Sequence, residues 1–253
     1  MARSRSARHR RILSELEERP SLRVSELAER LEVSAETIRR DLDALTDEGL
    51  LDRTYGGAVR RRSLEPSVSE RHTMRAAERE RIARRACGHF TGATHFFIGS
   101  GATTVHVARR MALEMNNITV VAHSFGVATV LALNPTIRIV MAPGLYHASE
   151  GAVHGSATLR FLERHNVDIA VLGASGLTPE GPTDALLEAG DVYAVMAARA
   201  GRSILVADAS KYGLAFPALW ARWDDIDTLV SDEAPPGSLA RVLQTGGVTI
   251  SLA

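Results

Sequence analysis

Residues 33–42 decide the reading of this chain: Val33-Ser34-Ala35-Glu36-Thr37-Ile38-Arg39-Arg40-Asp41-Leu42. Ser34 stands before a segment in which Ile38, Leu42 and Leu45 recur at helical spacing. A serine-capped amphipathic helix is therefore expected, running to Glu48 with Gly49 at its end. That stripe leaves Thr37, Arg39, Arg40 and Asp43 outward. Upstream, Ile12, Leu13 and Leu16 share one face of a helix from Arg8 to Glu18 that Pro20 stops. Ser25 is placed to cap a short second helix with Leu27, Ala28 and Leu31 inward. A short helix, a turn and a capped third helix make a helix-turn-helix, in which residues at the start of the last helix face base edges. Thr37 suits a thymine methyl or a phosphate, and Arg39 and Arg40 suit guanine or backbone oxygens.

Downstream, Leu50–Arg53 and Ala58–Arg60 are expected as two wing strands joined by Thr54-Tyr55-Gly56-Gly57, whose glycines permit the positive φ of a tight hairpin. The DNA-facing set is then Ser34, Glu36, Thr37, Arg39, Arg40, Arg53, Tyr55, Gly56 and Gly57. A bland three-helix domain with a charged face would also carry arginines. It would not couple them to a short second helix, a serine cap and a Gly-Gly wing. With Gly49-Leu50-Leu51 and Tyr55-Gly56-Gly57-Ala58-Val59, the stretch resembles the DeoR family of bacterial transcriptional regulators, almost without a break from Arg8 to Arg60. The resemblance implies a winged helix-turn-helix on double-stranded operator DNA and repression of an operon for sugar or polyol catabolism.

The composition neither demands nor excludes this. Lys+Arg 30 balances Asp+Glu 30, so there is no global basic signature, and any reading head must be basic locally. Cys87 is the only cysteine, which excludes an intrachain disulfide and a four-cysteine zinc site. The nine histidines lack metal-ligand spacing, so neither a metal nor a cofactor is expected. Met1–Arg11 is arginine-rich without an apolar core, and no apolar run approaches the ~18 residues of a membrane span. A cytoplasmic protein without a membrane partner is expected.

Three segments are expected: a DNA-binding domain over 1–60, a linker over 61–74 and an α/β domain over 75–253. Arg60-Arg61-Arg62-Ser63-Leu64-Glu65-Pro66-Ser67 is polar and aperiodic. Beyond it, short apolar strands (His95–Ile98, Ile118–Ala122, Ile137–Met141, Asp168–Leu172, Ser203–Ala207, Thr228–Val230) alternate with helical stretches (Arg75–His89, Thr103–Met115, Phe125–Leu133, Ser156–Arg164, Val192–Arg199). This is the pattern of an α/β fold with a mainly parallel sheet. The charged helix around Ala76–Arg85 reads as a solvated face.

In such sheets ligands bind beyond the carboxyl ends of the strands. Polar or glycine loops stand at four of them: Gly99-Ser100-Gly101-Ala102-Thr103-Thr104, His123-Ser124, Gly173-Ala174-Ser175-Gly176 and Asp208-Ala209-Ser210-Lys211. The first opens a helix, a natural anion site, but is neither a P-loop nor a dinucleotide fingerprint. Lys211 is the only lysine in a chain that otherwise uses arginine, and it would supply charge for a phosphate or carboxylate. The effector-binding set is Ser100, Gly101, Thr103, Thr104, His123, Ser124, Gly173, Gly176 and Lys211.

Residues 167–176 and 207–213 also resemble the family's C-terminal effector domain, whose sheet is related to ribose-5-phosphate isomerase. That implies a phosphorylated sugar or similar effector and a homo-oligomer, dimer or tetramer. The chain departs from the family pattern at Gly99 (usually Asp), His123 in a Thr-Asn-Ser loop, Pro143 in a Gly-Gly pair and Tyr193 (usually Lys). Each departure alters a polar contact, which leaves an atypical ligand or reduced binding as alternatives. An isomerase-like enzyme using Asp208, Glu188 and Lys211 is the rival from another class. The missing aspartate at position 99 and the attached DNA reader weigh against catalysis.

Overall fold

A computed structural model describes residues 5–18, 21–47, 51–54, 56–60, 66 and 68–253. The chain divides into two compact units, Met1–Leu64 and Glu65–Ala253.

The first unit holds α1 (Arg5–Glu18), β1 (Ser21–Arg23), α2 (Val24–Leu31), α3 (Ala35–Asp47), β2 (Leu51–Thr54) and β3 (Gly57–Arg60). Ile12 and Leu16 of α1, Leu27 and Leu31 of α2, and Ile38, Leu42 and Leu45 of α3 meet in one buried cluster. Ser34 caps α3 as expected, its Oγ accepting the Thr37 amide at 3.1 Å. Ser25 caps nothing. The N-cap of α2 is Arg23, whose amide donates to the Glu26 carboxylate at 2.7 Å, and Ser25 sits inside the first turn. The wing is a three-stranded antiparallel sheet of order β1-β3-β2 rather than a two-stranded hairpin. The expected stops Pro20, Glu48 and Gly49 lie outside the described residues.

The second unit opens with α4 (Val68–Thr73) and α5 (Ala76–Cys87). The expected linker over 61–74 is thus divided: 61–65 and 67 lie outside the described residues, whereas Val68–Thr73 is a helix of this unit. Val68 N–H donates to Ser149 O at 2.9 Å, and Arg71 pairs with Glu150 at 2.5 Å. Six residues without apolar period gave no sign of a helix that tertiary contacts hold.

There follow β4 (His95–Ile98), α6 (Ala102–Glu114), β5 (Thr119–Ala122), α7 (Phe125–Leu131), β6 (Arg138–Met141), the hairpin β7 (Leu145–His147) and β8 (Ala152–His154), α8 (Ser156–Leu162) and β9 (Val167–Leu172). Next come β10 (Gly176–Leu177), β11 (Pro182–Asp184), α9 (Leu187–Ala198), β12 (Ala200–Val206), β13 (Ala218–Leu219), β14 (Thr228–Ser231), α10 (Gly237–Thr245) and β15 (Thr249–Leu252).

Seven strands form one sheet of order β15-β14-β12-β9-β4-β5-β6, and every pairing in it is parallel. Alternate strand residues face opposite cores, as the period of two requires. Phe96, Ile98, Ile169 and Val171 pack with α5, α6 and α7 on one face. Phe97, Ala170, Leu172 and Leu205 pack with α8, α9 and α10 on the other.

From β4 the chain builds outward through β5 and β6, then returns to β9 on the opposite side of β4 and continues through β12, β14 and β15. The strand order therefore reverses between β4 and β9. Such a reversal parts the connecting loops and leaves a crevice at the carboxyl ends of the two strands.

Candidate functional site

In the first unit, Glu36, Arg39 and Arg40 stand exposed along the outer face of α3. Glu36 lies 3.5 Å from the Arg39 guanidinium and 3.4 Å from that of Arg40. Ion pairs this exposed contribute at most about 1 kcal/mol and yield readily to a phosphate. Thr37 is half-buried, its hydroxyl 2.8 Å from Ser34 Oγ.

Arg53 lies in β2 opposite Ala58, and Tyr55 falls outside the described residues. Gly56 has the positive φ of +94° expected of a tight turn, but Gly57 serves a different purpose. A Cβ on Gly57 would stand 2.3 Å from Leu22 O, so the missing side chain admits the third strand, β1.

Asp41 escaped the sequence reading. It is 2% exposed and accepts hydrogen bonds from both Nε and Nη2 of Arg8 and from His9, tying α1 to the reading helix. Burial pushes its carboxyl up, but the bonds and charges of Arg8 and His9 outweigh this and hold it below the usual carboxylate range.

In the second unit, a narrow cleft opens where the strand order reverses. Ser100, Gly101, Thr103 and Thr104 line it from the loop after β4 and the start of α6. Gly173 lines it from the loop after β9, and Lys211 from the turn after β12. These six expected residues are brought together. Helix geometry leaves the amides of the first turn of α6 without intrahelical acceptors, so that end of the cleft favours an anion.

His123, Ser124 and Gly176 do not line it. Ser124 caps α7 through the Val127 amide at 3.4 Å. Gly176 makes room for backbone: a Cβ there would lie 2.2 Å from Leu214 O. His123 is fully buried behind the loop. Its Nδ1 faces the Val153 carbonyl at 2.9 Å, which can only accept, so Nδ1 carries the proton and Nε2 accepts the Ser100 amide at 3.0 Å. Burial, together with nearby His154, pushes its pKa down to about 3, which keeps the ring neutral.

Tyr193 completes the fixing of Ser100. Its hydroxyl donates to Ser100 O at 3.0 Å, which leaves the serine hydroxyl as donor in their 2.7 Å contact. A Cβ on Gly99 would lie 2.9 Å from Tyr193 Cε1, so the glycine and the tyrosine are one coupled feature. The Tyr193 ring fills the space a side chain at position 99 would need.

Arg71, Arg79 and Asp184 also line the cleft and were not expected there. Arg79 did leave a signal: it precedes Ile82, Ala83 and Ala86 by three, four and seven residues, on the buried stripe of α5. Of the acid/base set considered for an enzyme, only Lys211 lines the cleft. Asp208 is fully buried, within 3.6 Å of both Arg75 and Arg79, and Glu188 is exposed on α9. Trp220 and Trp223 are core residues. Among the described residues no group of histidine, cysteine and carboxylate side chains is arranged to hold a metal, and no helix is long and apolar enough to cross a membrane.

Comparison with known proteins agrees with this division. Residues 8–63 match the DeoR-like helix-turn-helix domain, and residues 74–233 match the DeoR C terminal sensor domain. The chain is 31% identical to the glycerol-3-phosphate regulon repressor of Escherichia coli K12 over 97% of this chain and 98% of that protein. It is 29% identical to the HTH-type transcriptional repressor CsqR of the same organism, over 97% and 94%. A solved D-ribose-5-phosphate isomerase in complex with phospho-erythronic acid matches 53% of this chain and 52% of that one, at 18% identity and a TM-score of 0.40, too loose to bear on chemistry. By the extent of the first two relationships and the match to both domains, the chain belongs to the DeoR family of DNA-binding transcriptional regulators.

Proposed function

We propose that the protein represses an operon of carbohydrate or polyol catabolism and releases its operator when a phosphorylated sugar or polyol occupies the cleft of the second unit. The observation that carries this reading is the convergence of the α6 amino end and Lys211 on one cleft at the strand-order reversal. Ser100, Gly101, Thr103, Thr104, Gly173 and Lys211 are the effector residues in this reading. Arg39 and Arg40, with Ser34, Glu36 and Thr37 beside them, face the DNA, as do Arg53, Gly56 and Gly57 of the wing; Tyr55, the remaining DNA-facing residue of this reading, lies outside the described residues. Glycerol 3-phosphate is the first compound to try, because a relative 31% identical to this chain is named as the glycerol-3-phosphate regulon repressor. The active form is a cytoplasmic homo-oligomer that sets two reading helices on neighbouring half-sites. That neither Asp208 nor Glu188 lines the cleft beside Lys211 favours a sensor over an isomerase-like enzyme.

The test is fluorescence anisotropy on DNA upstream of the protein's own gene, with and without a panel of sugar and polyol phosphates. Binding relieved by one compound supports the proposal. Tight binding that no compound alters favours a regulator whose cleft has lost its ligand, and absence of specific binding refutes the proposal.

A further inference from the structure

We propose that Arg71 and Arg79 complete the anion site of the cleft, so that α4 and α5, and not only the strand-end loops, hold the effector. The inference rests on the reading of the cleft as an effector site. The sensing function needs a link between ligand and reader, and α4 is the first described helix after the wing strand β3 along the chain.

Both arginines line the same cleft as Ser100–Thr104, yet they are only 9% and 4% exposed. An arginine keeps its charge when buried, and burying a charge is costly unless it is paired. With Lys211, three cationic side chains line the cleft; Arg71 is paired with Glu150 and Arg79 lies 3.6 Å from Asp208. A phosphate offers such cations an anionic partner that a neutral ligand cannot. Guanidinium forks also match the oxygens of a phosphate two at a time.

Local contacts hold both arginines in place. Arg79 Nη1 donates to the carbonyls of Arg71 and, at 2.5 Å, Met74, while Nη2 lies 3.6 Å from buried Asp208. Arg79 thereby joins the end of α4 to the loop after β12. Arg71 instead reaches Glu150 at 2.5 Å in the turn between β7 and β8, where Val68 also bonds Ser149. A phosphate in the cleft competes with the Glu150 carboxylate for Arg71. When it succeeds, it changes what holds α4.

The test uses the full chain, with calorimetric titration of inorganic phosphate, glycerol 3-phosphate and neutral glycerol. Wild type is expected to bind glycerol 3-phosphate and not glycerol. Arg71→Gln should weaken the phosphate compounds about 10- to 100-fold, the range of a charge-assisted pair. Glu150→Gln, which frees Arg71 from its carboxylate, should tighten them several-fold. Amide exchange in Val68–Thr73 should respond to glycerol 3-phosphate in wild type and not in Arg71→Gln. Tryptophan emission from Trp220 and Trp223 checks that each variant is folded. If Arg71→Gln does not fold, an unchanged affinity in Glu150→Gln alone overturns the inference. Equal affinities in wild type and Arg71→Gln also overturn it and leave the effector reading standing. Failure of wild type to bind either phosphate compound overturns both.

Discussion

Gly99→Ala tests whether the glycine exists to admit Tyr193. The new methyl would stand 2.9 Å from Tyr193 Cε1 and 3.4 Å from Cδ1, against the 3.5–4.0 Å of relaxed carbon contacts. The ring has little room to retreat. Its hydroxyl is bonded to Ser100, and its faces and edges meet Trp220 and His123 with centroids 5.5 and 6.0 Å away. Overpacking of this kind costs about 1–3 kcal/mol. Gly99 is not at a positive φ, so the cost is steric and not conformational.

Tyr193→Leu removes the ring and its two hydrogen bonds and should cost about 2–5 kcal/mol by itself. Adding Gly99→Ala to that background should then cost nothing, a coupling of about 1–3 kcal/mol. Any stiffening of the unfolded chain by alanine, about 0.4–1 kcal/mol, occurs in both backgrounds and cancels. Urea titration followed by tryptophan fluorescence is the assay, because both tryptophans belong to the second unit and report its unfolding alone. The same penalty for Gly99→Ala in both backgrounds would refute the coupling.

Replacing Arg39 and Arg40 together by alanine should cost about 1–3 kcal/mol of operator binding for each base contact, or lower the salt slope by about 0.9 for each phosphate contact. The unfolding curve of the second unit should not move; operator binding unchanged in both affinity and salt slope would exclude α3 as the reader. Asp41→Asn should destabilise the first unit by about 1.5–3 kcal/mol, read by far-ultraviolet circular dichroism. Because the folded state lowers the Asp41 pKa, its contribution is present above the unfolded value of about 4 and lost as pH falls through the folded one. An acid profile of the first unit identical in wild type and Asp41→Asn would remove the tie as its cause. His123 and His154 have folded pKa values lowered to about 3 and about 4, so the unfolded chain takes up their protons first. The second unit should therefore lose stability as pH falls below about 6.5, by at most about 1.4 kcal/mol per pH unit for each ring. His123→Gln should flatten that slope, and an unchanged slope would count against its burial as the neutral form.

The reader was legible because its signals are local. The Ser34 cap, the Ile38-Leu42-Leu45 stripe and the paired arginines all act within one helix. Strand β1 was not, since Ser21-Leu22-Arg23 is too short to alternate and its partner lies beyond α3. In the second unit, apolar runs revealed most of the parallel sheet, but β10, β11 and β13 have two or three residues each, and tertiary contacts define them. Helix α9 begins at Leu187 and not at Val192, and Gly190 in its first turn is a packing glycine: a Cβ there would meet Ala218 Cβ at 2.8 Å. The cleft was legible wherever the strand-end rule reached. His123 followed that rule into the wrong place, since a residue at a strand end can face the core behind a loop as well as the cleft before it. Arg71 lay in what read as a linker, and its role depends on a turn 79 residues away.

The two proposed sites are built to meet anions in two physically different ways. Arg39 and Arg40 are more than half exposed and, among the described residues, pair with Glu36. Their attraction to a polyanion is long-ranged and screened by salt, and it suits a surface that must find DNA quickly and let it go. The cleft has the opposite design. Ser100 is pinned through its amide by His123 and through its carbonyl and hydroxyl by Tyr193, so its N–H is already committed. Recognition there falls to the free amides of the α6 first turn and to side-chain cations held by neighbours before any ligand arrives. Such preorganisation lowers the ordering cost of binding. It also means that a ligand gains chiefly by displacing an existing partner. A cleft whose cations are already paired discriminates by charge, since a neutral polyol cannot repay the ion pair it would break.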